Sequence, residues 1–255
     1  MDKQTVVVLF GGRSSEHSIS SATAGGVLGA IDRDRYAVIP VGITREGAFV
    51  LEDDDPSKFP LDAAHLPEVA DNGTRVLWPE PGGDRTLRVV RQDGTVEGFG
   101  EIDIVLPILH GTHGEDGTIQ GYFDTLEVPY AGGGVLDSAL CMDKHFMKIT
   151  LRAAGLSVAP GITVRSREWE RDAASVRASA VDLGMPLFVK PARAGSSVGV
   201  SKVERPDELD AALAIAFAED DKVLIESGVV GREIEVAVLA VSYTHLRAHE
   251  TSLHL

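Results

Sequence analysis

A loop of small residues with a lysine before it is the part of the sequence best suited to bind phosphate. Residues 187–203 read LFVKPARAGSSVGVSKV, so an apolar run ends at Lys190, tandem serines follow, and a second apolar run closes the segment. The backbone N–H groups of such a loop can close on phosphate oxygens, and Lys190 would add a positive charge. The pattern predicts a strand, a mobile lid and a strand. A β-hairpin with a flexible turn and a solvated lysine fits the same residues.

Two more loops carry an acid and a histidine directly after apolar runs. GGRSSEHSIS, residues 11–20, follows the run 5–10, and HGTHGEDGTIQG, residues 110–121, follows the run 102–109. Ligands of open α/β sheets gather at the carboxyl ends of the strands, so we expect Glu16 and His110 at one rim. There they could hold an ammonium and orient its neighbouring carboxylate. Glu16 could equally be a carboxylate that only stabilises a helix N-terminus.

Other site types are less well supported by these residues. The group His110, His113, Glu115 and Asp116 suggests a metal site, but two histidines at this spacing on a glycine-rich loop match no good zinc template. The sequence has no Gly-Lys dipeptide, which excludes a P-loop, and no G-x-G-x-x-G motif of dinucleotide-binding folds. Any nucleotide must therefore be held in a different way.

Composition limits the class of protein. The chain has 255 residues, of which 44% are apolar and 25% charged, with a single cysteine and a formal charge of −15. This length favours roughly two domains. The charge argues against a nucleic-acid surface, and the apolar runs near the start are too short for a signal segment or a membrane span. We expect a cytoplasmic protein. If it binds a phosphorylated ligand, it must concentrate its few cations in one cleft, with the candidates Lys144, Lys148, Lys190 and Arg193.

The order of predicted elements indicates an α/β layer structure. Buried strands are predicted at 5–10, 37–43 and 102–109, and helices at 18–31, 119–126, 141–155, 166–183 and 206–218, with a further strand at 222–226. The region 45–100 contains LEDDDPSKFP, PEPGGD and several short polar stretches, which are typical of surface insertions. Within it, 75–78 and 87–90 could form a hairpin.

Five motifs in this order resemble the D-alanine:D-alanine ligase family of the ATP-grasp superfamily. They are GGRSSEHSIS, HGTHGEDGTIQG, PYAGGGVLDSALCMDKHFMK, LFVKPARAGSSVGVSKV and VLIESGVVGREIEVAVL, and they lie between about residue 6 and about residue 239. The fold implied is α/β, with an N-terminal open parallel-sheet (pre-ATP-grasp) domain followed by an incomplete ATP-grasp domain. The predicted boundaries are 1–132 for the substrate-binding domain, 133–230 for the central ATP-grasp subdomain with its phosphate lid, 231–240 for the start of a C-terminal subdomain, and 241–255 for a non-native tail.

The resemblance implies an ATP-dependent, ADP-forming ligase. It would join two D-alanines through a D-alanyl phosphate and supply the dipeptide of peptidoglycan precursors. The expected partners are D-alanine, ATP and a second copy of the chain bound through the N-terminal domain, with no nucleic acid or membrane. Two alternatives stay open: a ligase with D-lactate or D-serine as second substrate, or a non-catalytic nucleotide-binding remnant.

The motifs also imply roles for individual residues. Glu16 would bind the ammonium of the first D-alanine, and His110 would lie beside its carboxylate. Ser196, with Ser197, would link this network to the lid, so that Glu16 and Ser196 are the expected catalytic residues. The residues expected to bind ATP are Lys144, Lys190, Ser196, Ser197, Glu226 at the adenine amino group and Glu233 at the ribose hydroxyls. Without the motifs, the last two would be only acids at strand ends.

The sequence departs from the family pattern at its end. Family members require Mg²⁺ (or Mn²⁺), and its ligands belong to a segment for which this sequence has AVSYTHLRAHETSLHL at 240–255. We therefore expect no metal ligand in this chain. The chain as given is predicted to be catalytically incomplete.

Overall fold

Eleven strands occur within residues 3–62 and 64–234, the part of the chain that the computed structural model describes. They are β1 (Gln4–Gly11), β2 (Tyr36–Ile43), β3 (Phe49–Leu51), β4 (Arg75–Leu77), β5 (Thr86–Val90), β6 (Val96–Glu101), β7 (Ile104–Pro107), β8 (Gly161–Arg165), β9 (Leu187–Pro191), β10 (Ser201–Val203) and β11 (Lys222–Ser227). The helices of the same part are α1 (His17–Ala30), α2 (Thr118–Thr125), α3 (Val135–Met142), α4 (Lys144–Ala153), α5 (Ser166–Arg171), α6 (Ala173–Val181) and α7 (Leu209–Glu219).

The first sheet has the order β3-β2-β1-β7 and carries the first two polar loops at one edge. β1 pairs in parallel with β2 and β7, and β3 adds an antiparallel edge. Alternate side chains of β1 enter two different cores: Val7 and Leu9 pack toward α2, while Val8 and Phe10 pack with α1. A strand buried on both faces needs a continuous apolar run, which confirms the prediction of a parallel α/β layer.

The region 45–100 contributes to the core, so its interpretation as surface insertions was wrong in part. The predicted hairpin is confirmed as β4 and β5, and β6, which the sequence did not indicate, completes a three-stranded sheet. Leu87 and Val89 are fully buried and Val76 nearly so. They pack in the same core as β1, because alternate residues of this short sheet face the first sheet.

Adjacent glycines in α1 provide a test of the packing between this helix and the 3₁₀ turn Pro56–Lys58. A Cβ at Gly25 would lie 2.1 Å from the carbonyl oxygen of Phe59, whereas a Cβ at Gly26 would have no atom within 4 Å. We expect Gly25→Ala to lower the free energy of unfolding by about 1–3 kcal/mol through overpacking. Gly26→Ala, the matched control, should raise it by about 0.5–1 kcal/mol. Urea unfolding of the two variants measures the difference, and equal effects would contradict the close packing.

The second sheet has the order β10-β9-β11-β8 and is antiparallel throughout. Its core is formed with α7 and contains Leu187, Val189, Leu213 and Ile225, all fully buried. β9 and β10 flank residues 192–200, so the predicted strand, loop and strand are confirmed. β9 and β11 lie side by side, which brings residues of the fourth and fifth motifs into one sheet.

Two helices that the sequence predicts as continuous are each broken at an aspartate. The predicted helix 141–155 divides at Asp143, whose extended backbone separates α3 from α4 and whose carboxylate accepts hydrogen bonds from the amides of His145 and Phe146. The predicted helix 166–183 divides at Asp172, which accepts from the amide of Ser175 at 3.0 Å. Aspartate competes with the helix backbone for these amides and so begins a new helix.

The predicted domain boundaries stay predictions. A glycine-rich stretch, 132–134, separates the first sheet from α3. The proposed C-terminal subdomain beyond residue 234 and the tail 241–255 lie outside the described residues. Among the helices between residues 3 and 234, with residue 63 excepted, none is long and apolar enough to cross a membrane.

Candidate active site

The first loop and the lid meet at Glu16. Glu16 precedes α1, is only 8% exposed, and accepts a hydrogen bond on Oε1 from the hydroxyl of Ser196. The hydroxyl of Ser14 accepts a hydrogen bond from the Glu16 amide at 3.1 Å. Glu16 and Ser196 are 180 residues apart in the chain. Their contact therefore joins the rim of the first sheet to a loop of the second sheet.

Glycines allow the second loop and the lid to approach the Glu16 carboxylate. A Cβ at Gly111 would lie 2.4 Å from Oε2 of Glu16, and a Cβ at Gly195 would lie 2.9 Å from the same oxygen. Either distance is too short for a side chain. The backbones of both loops therefore pack directly on the carboxylate, and His110 and Ser196 are the chain neighbours of these two glycines.

The acids of the second loop are used to hold its backbone. Glu115 accepts a hydrogen bond from the Gly111 amide at 2.8 Å, and Asp116 accepts from the amides of His113 and Thr118 at 2.9 and 3.0 Å. These bonds lower the pKa of Asp116, although burial by itself would raise it. Because the carboxylates are occupied within the loop, this geometry favours a shaped binding loop over a metal site.

His110 is half-buried and lines a cavity of about 230 Å³ at the carboxyl ends of β1 and β2. The wall is largely apolar, with Leu109, Ile119 and Phe49, and its polar residues include Arg13 and His113. The position agrees with the rule that ligands of open α/β sheets bind outside the carboxyl ends of the strands.

His17 fixes the first loop and was missed by the sequence analysis. Its ring is fully buried, with Nδ1 at 2.8 Å from the carbonyl oxygen of Gly12 and Nε2 at 3.0 Å from the amide of Val69. Because an amide can only donate, Nε2 accepts and the Nδ1–H group donates to Gly12. The imidazole thus ties the turn after β1 to residue 69. In the sequence, the only indication that His17 has a role at this loop was its position directly after Glu16.

The lid loop holds two serines in an unusual backbone conformation. Ser196 and Ser197 have φ values of 46° and 58°, in the left-handed region that non-glycine residues adopt infrequently. Turn bonds from Val198 to Gly195 and from Val200 to Ser197 close the loop at 3.0 and 3.2 Å. Such backbone conformations persist where the surroundings enforce them, and they are concentrated at ligand sites.

Lys144 is the first residue of α4 and points toward the beginning of the lid. Its ammonium donates to the carbonyl oxygen of Ala194 at 2.5 Å, and its amide donates to the carbonyl oxygen of Ala192 at 3.0 Å. Burial, followed by the charge of Lys190, lowers the pKa of Lys144. Lys144 and Lys190, which belong to different elements, therefore lie close enough for the charge of one to affect the other.

Glu226, at the end of β11, holds Lys190 and also Lys148. It is 6% exposed; Lys190 Nζ lies 2.7 Å from its Oε2, and Lys148 contacts its Oε1. Burial by itself would raise the pKa of Glu226, but the hydrogen bonds from Lys148 and Lys190 outweigh it and the pKa lies below its ordinary value. Glu226 and Lys190, which the sequence assigns to opposite ends of ATP, are thus an ion pair here.

Family models match almost the whole chain. The model described as D-ala D-ala ligase N-terminus matches residues 5–133, and the model described as D-ala D-ala ligase C-terminus matches residues 150–253. The chain belongs to this ligase family. Among the most similar curated relatives is the D-alanine–D-alanine ligase of Paenarthrobacter aurescens, which is 53% identical over 92% of this chain and 62% of its own length. That of an Arthrobacter species is 52% identical over 93% of this chain and 62% of its own length.

Solved structures of D-alanine ligases show the same fold. The VanG D-Ala:D-Ser ligase from Enterococcus faecalis superposes with a TM-score of 0.77 at 33% identity, covering 95% of this chain and 67% of that protein. The D-alanine–D-alanine ligase from Coxiella burnetii also gives 0.77, at 32% identity and with coverages of 94% and 68%. The α/β fold with a parallel sheet before an ATP-grasp sheet is therefore confirmed for this ligase-family chain. The chain spans 62% of the length of the two curated relatives.

Three residues that the sequence analysis singled out have no described contact with Lys144 or Lys190. Glu233 is exposed on the segment after β11. Ser197 lies on the lid beside Ser196, and the Ser196 hydroxyl is the one that reaches Glu16. Arg193, a candidate for the cationic cleft, instead pairs with Asp220 at 2.5 Å and with Asp221. Both acids lie between α7 and β11, and the interpretation of Arg193 as a cleft cation stays a prediction.

A buried ion pair fixes the start of α4 in this ligase-family chain. Lys222 on β11 is 3% exposed, Asp143 is 7% exposed, and their charged groups are in contact. The Lys222 ammonium also lies 4.8 Å from the centre of the Phe146 ring. Asp143 caps α4, so the pair sets the position of Lys144. Sequence analysis missed it, since a lysine at the start of an apolar strand was the sole local signal.

The acids and histidines of residues 3–62 and 64–234 form no group of three or more that could hold a metal ion. We assign no metal ligand among them.

Proposed function

We propose that the protein ligates two D-alanines at the expense of ATP, forming ADP and phosphate, through a D-alanyl phosphate. The observation that carries this proposal is the contact between Glu16 and Ser196, which joins the rim of the first sheet to the serine loop between β9 and β10. Membership of the ligase family and the names of relatives at 53% and 52% identity support it. The product would serve peptidoglycan synthesis in the cytoplasm, and the protein would act as a homodimer through its N-terminal domain.

The amino-acid end of the site would bind the first D-alanine. The Glu16 carboxylate would accept the ammonium group, and His110 would lie beside the substrate carboxylate. Charge-assisted hydrogen bonds of this kind fix orientation as well as affinity. Ser196 would link this end to the lid, so that substrate binding and lid closure depend on each other.

The ATP end would be formed by the lid and the lysines. Lys144 and Lys190 would contact the phosphates together with Ser196 and Ser197, Glu226 would accept from the adenine amino group, and Glu233 would bind the ribose hydroxyls. Two ammonium groups near the transferred phosphoryl group would offset charge that develops on its oxygens. The family implies Mg²⁺, for which the described residues supply no group of three or more acids, histidines or cysteines.

A chimera tests the proposed ligation directly. It would carry residues 1–234 of this chain followed by the remaining segment of the Paenarthrobacter aurescens relative. We expect D-alanine-dependent ADP formation and D-alanyl-D-alanine, detected by mass spectrometry after incubation with ATP, D-alanine and Mg²⁺. The 255-residue chain alone, run in parallel, should bind ATP without turnover. A folded chimera that makes ADP without dipeptide would contradict the ligase assignment.

A second candidate function is ligation of D-alanine to D-serine. The likeness to a solved D-Ala:D-Ser ligase at 33% identity favours including it. Adding D-alanine and D-serine at equal concentrations to the same assay would distinguish the two candidate functions. An excess of D-alanyl-D-serine over D-alanyl-D-alanine would favour the second candidate. D-lactate in place of D-serine tests the remaining alternative in the same way.

A further inference from the structure

Glu226 has two lysine partners, and the two are held differently. The Lys148 ammonium contacts Glu226 Oε1 and also donates to the carbonyl oxygen of Ala159 at 3.1 Å. Within the described residues, the Lys190 ammonium has only Glu226 as a partner. Lys148 is also the less exposed side chain, at 16% against 25% for Lys190. Lys148 is therefore anchored on both sides, while Lys190 can leave after a single contact is broken.

A buried acid cannot lose all of its counter-ions cheaply. The Glu226 side chain is 7% exposed, and leaving a buried carboxylate unpaired is strongly unfavourable. If Lys190 turns toward phosphate, as proposed for the ATP site, Glu226 needs a cation that stays. Lys148 lies one helical turn after Lys144 on α4, so both lysines face the same side of the helix. Lys144 contacts the lid at Ala194, whereas Lys148 contacts Glu226 and Ala159.

We infer that Lys148 is a positioning residue: it is the permanent counter-ion of Glu226 and thereby releases Lys190 to bind the phosphates of the nucleotide. This inference rests on the ATP site proposed above. Lys148 itself would not touch phosphate. Its side chain lines a cavity of about 120 Å³ together with Glu226, His145 and Thr163, and neither Lys144 nor Lys190 is among the lining residues.

Binding of inorganic tripolyphosphate, which has no adenine, tests the inference. In the wild-type 255-residue chain, calorimetry should detect binding of both ATP and tripolyphosphate. Lys148→Met should weaken both by about 10- to 100-fold, because Lys190 is then retained by Glu226. Lys148→Arg should restore most of the affinity, and Lys202→Met, an exposed control on β10, should change neither.

A double-mutant cycle separates release of Lys190 from any other role of Lys148. Glu226→Gln should bind tripolyphosphate at least as tightly as the wild type, because the acid that retains Lys190 is gone. Adding Lys148→Met to Glu226→Gln should then change the tripolyphosphate affinity by less than about twofold. This pair contains no buried unpaired acid, so it gives the comparison even if Lys148→Met alone fails to fold.

The outcomes distinguish the inference from the function on which it rests. A wild-type chain that binds neither ATP nor tripolyphosphate would overturn the ATP site and the inference with it. Wild-type binding with unchanged tripolyphosphate affinity in folded Lys148→Met would overturn the inference alone. The inference would also fail if Lys148→Met weakened binding as strongly in the Glu226→Gln background, since Lys148 would then contact phosphate directly.

Discussion

Lys222→Met should lower the free energy of unfolding by about 3–5 kcal/mol, which is the usual cost of removing one partner of a buried ion pair. The ammonium and the Asp143 carboxylate are in contact, at 3% and 7% residue exposure. Methionine keeps most of the aliphatic chain, so the loss reports the charge and not a large cavity. Urea denaturation followed by circular dichroism measures the change.

Two further variants make this result specific. Lys202→Met removes an exposed lysine that pairs with Glu204 at 2.7 Å, and it should cost no more than about 1 kcal/mol. Asp143→Asn, added to Lys222→Met, should recover part of the loss, because the amide is neutral and its oxygen can still cap α4. If Lys222→Met were as mild as Lys202→Met, the buried pair would not be a significant contributor to stability.

Glu16→Gln should raise the half-saturating concentration of D-alanine in the chimera about 100-fold, because it removes the buried charge that would pair with the substrate ammonium in the proposed site. Glutamine has the shape of glutamate, so it fits between Gly111 and Gly195, where a larger group would not. The half-saturating concentration of ATP should stay within about twofold. Steady-state ADP formation, with each substrate varied in turn, measures both values.

The matched control for this change is Glu170→Gln. Glu170 lies exposed on α5, so the variant removes one negative charge without reaching the site, and both half-saturating concentrations should be unchanged. Equal losses for D-alanine and ATP in Glu16→Gln would show that Glu16 supports the whole site and has no specific role at the ammonium.

Much of the fold was accessible from the sequence because its signals are local. The run 5–10 predicts a fully buried parallel strand, and β1 is one. The small residues 192–200 between two apolar runs predict a loop between strands, and β9 and β10 flank it. The two helix breaks were missed because Asp143 and Asp172 fit a helical pattern until their side chains are seen to take amide hydrogen bonds.

The sequence by itself determined the buried strands of both sheets, which loops carry glycines and hydroxyls, and the order of five motifs that resembles one ligase family. Only the tertiary structure decided how the charges pair. Arg193 and Lys190 are both candidate cleft cations in the sequence, and in the structure Asp220 binds Arg193 and Glu226 binds Lys190. The contacts that define the site join Glu16 to Ser196, Lys148 to Glu226 and Asp143 to Lys222 across 180, 78 and 79 residues. Secondary structure follows from neighbours along the chain, whereas a buried charge takes its partner from whichever element packing brings within hydrogen-bond distance.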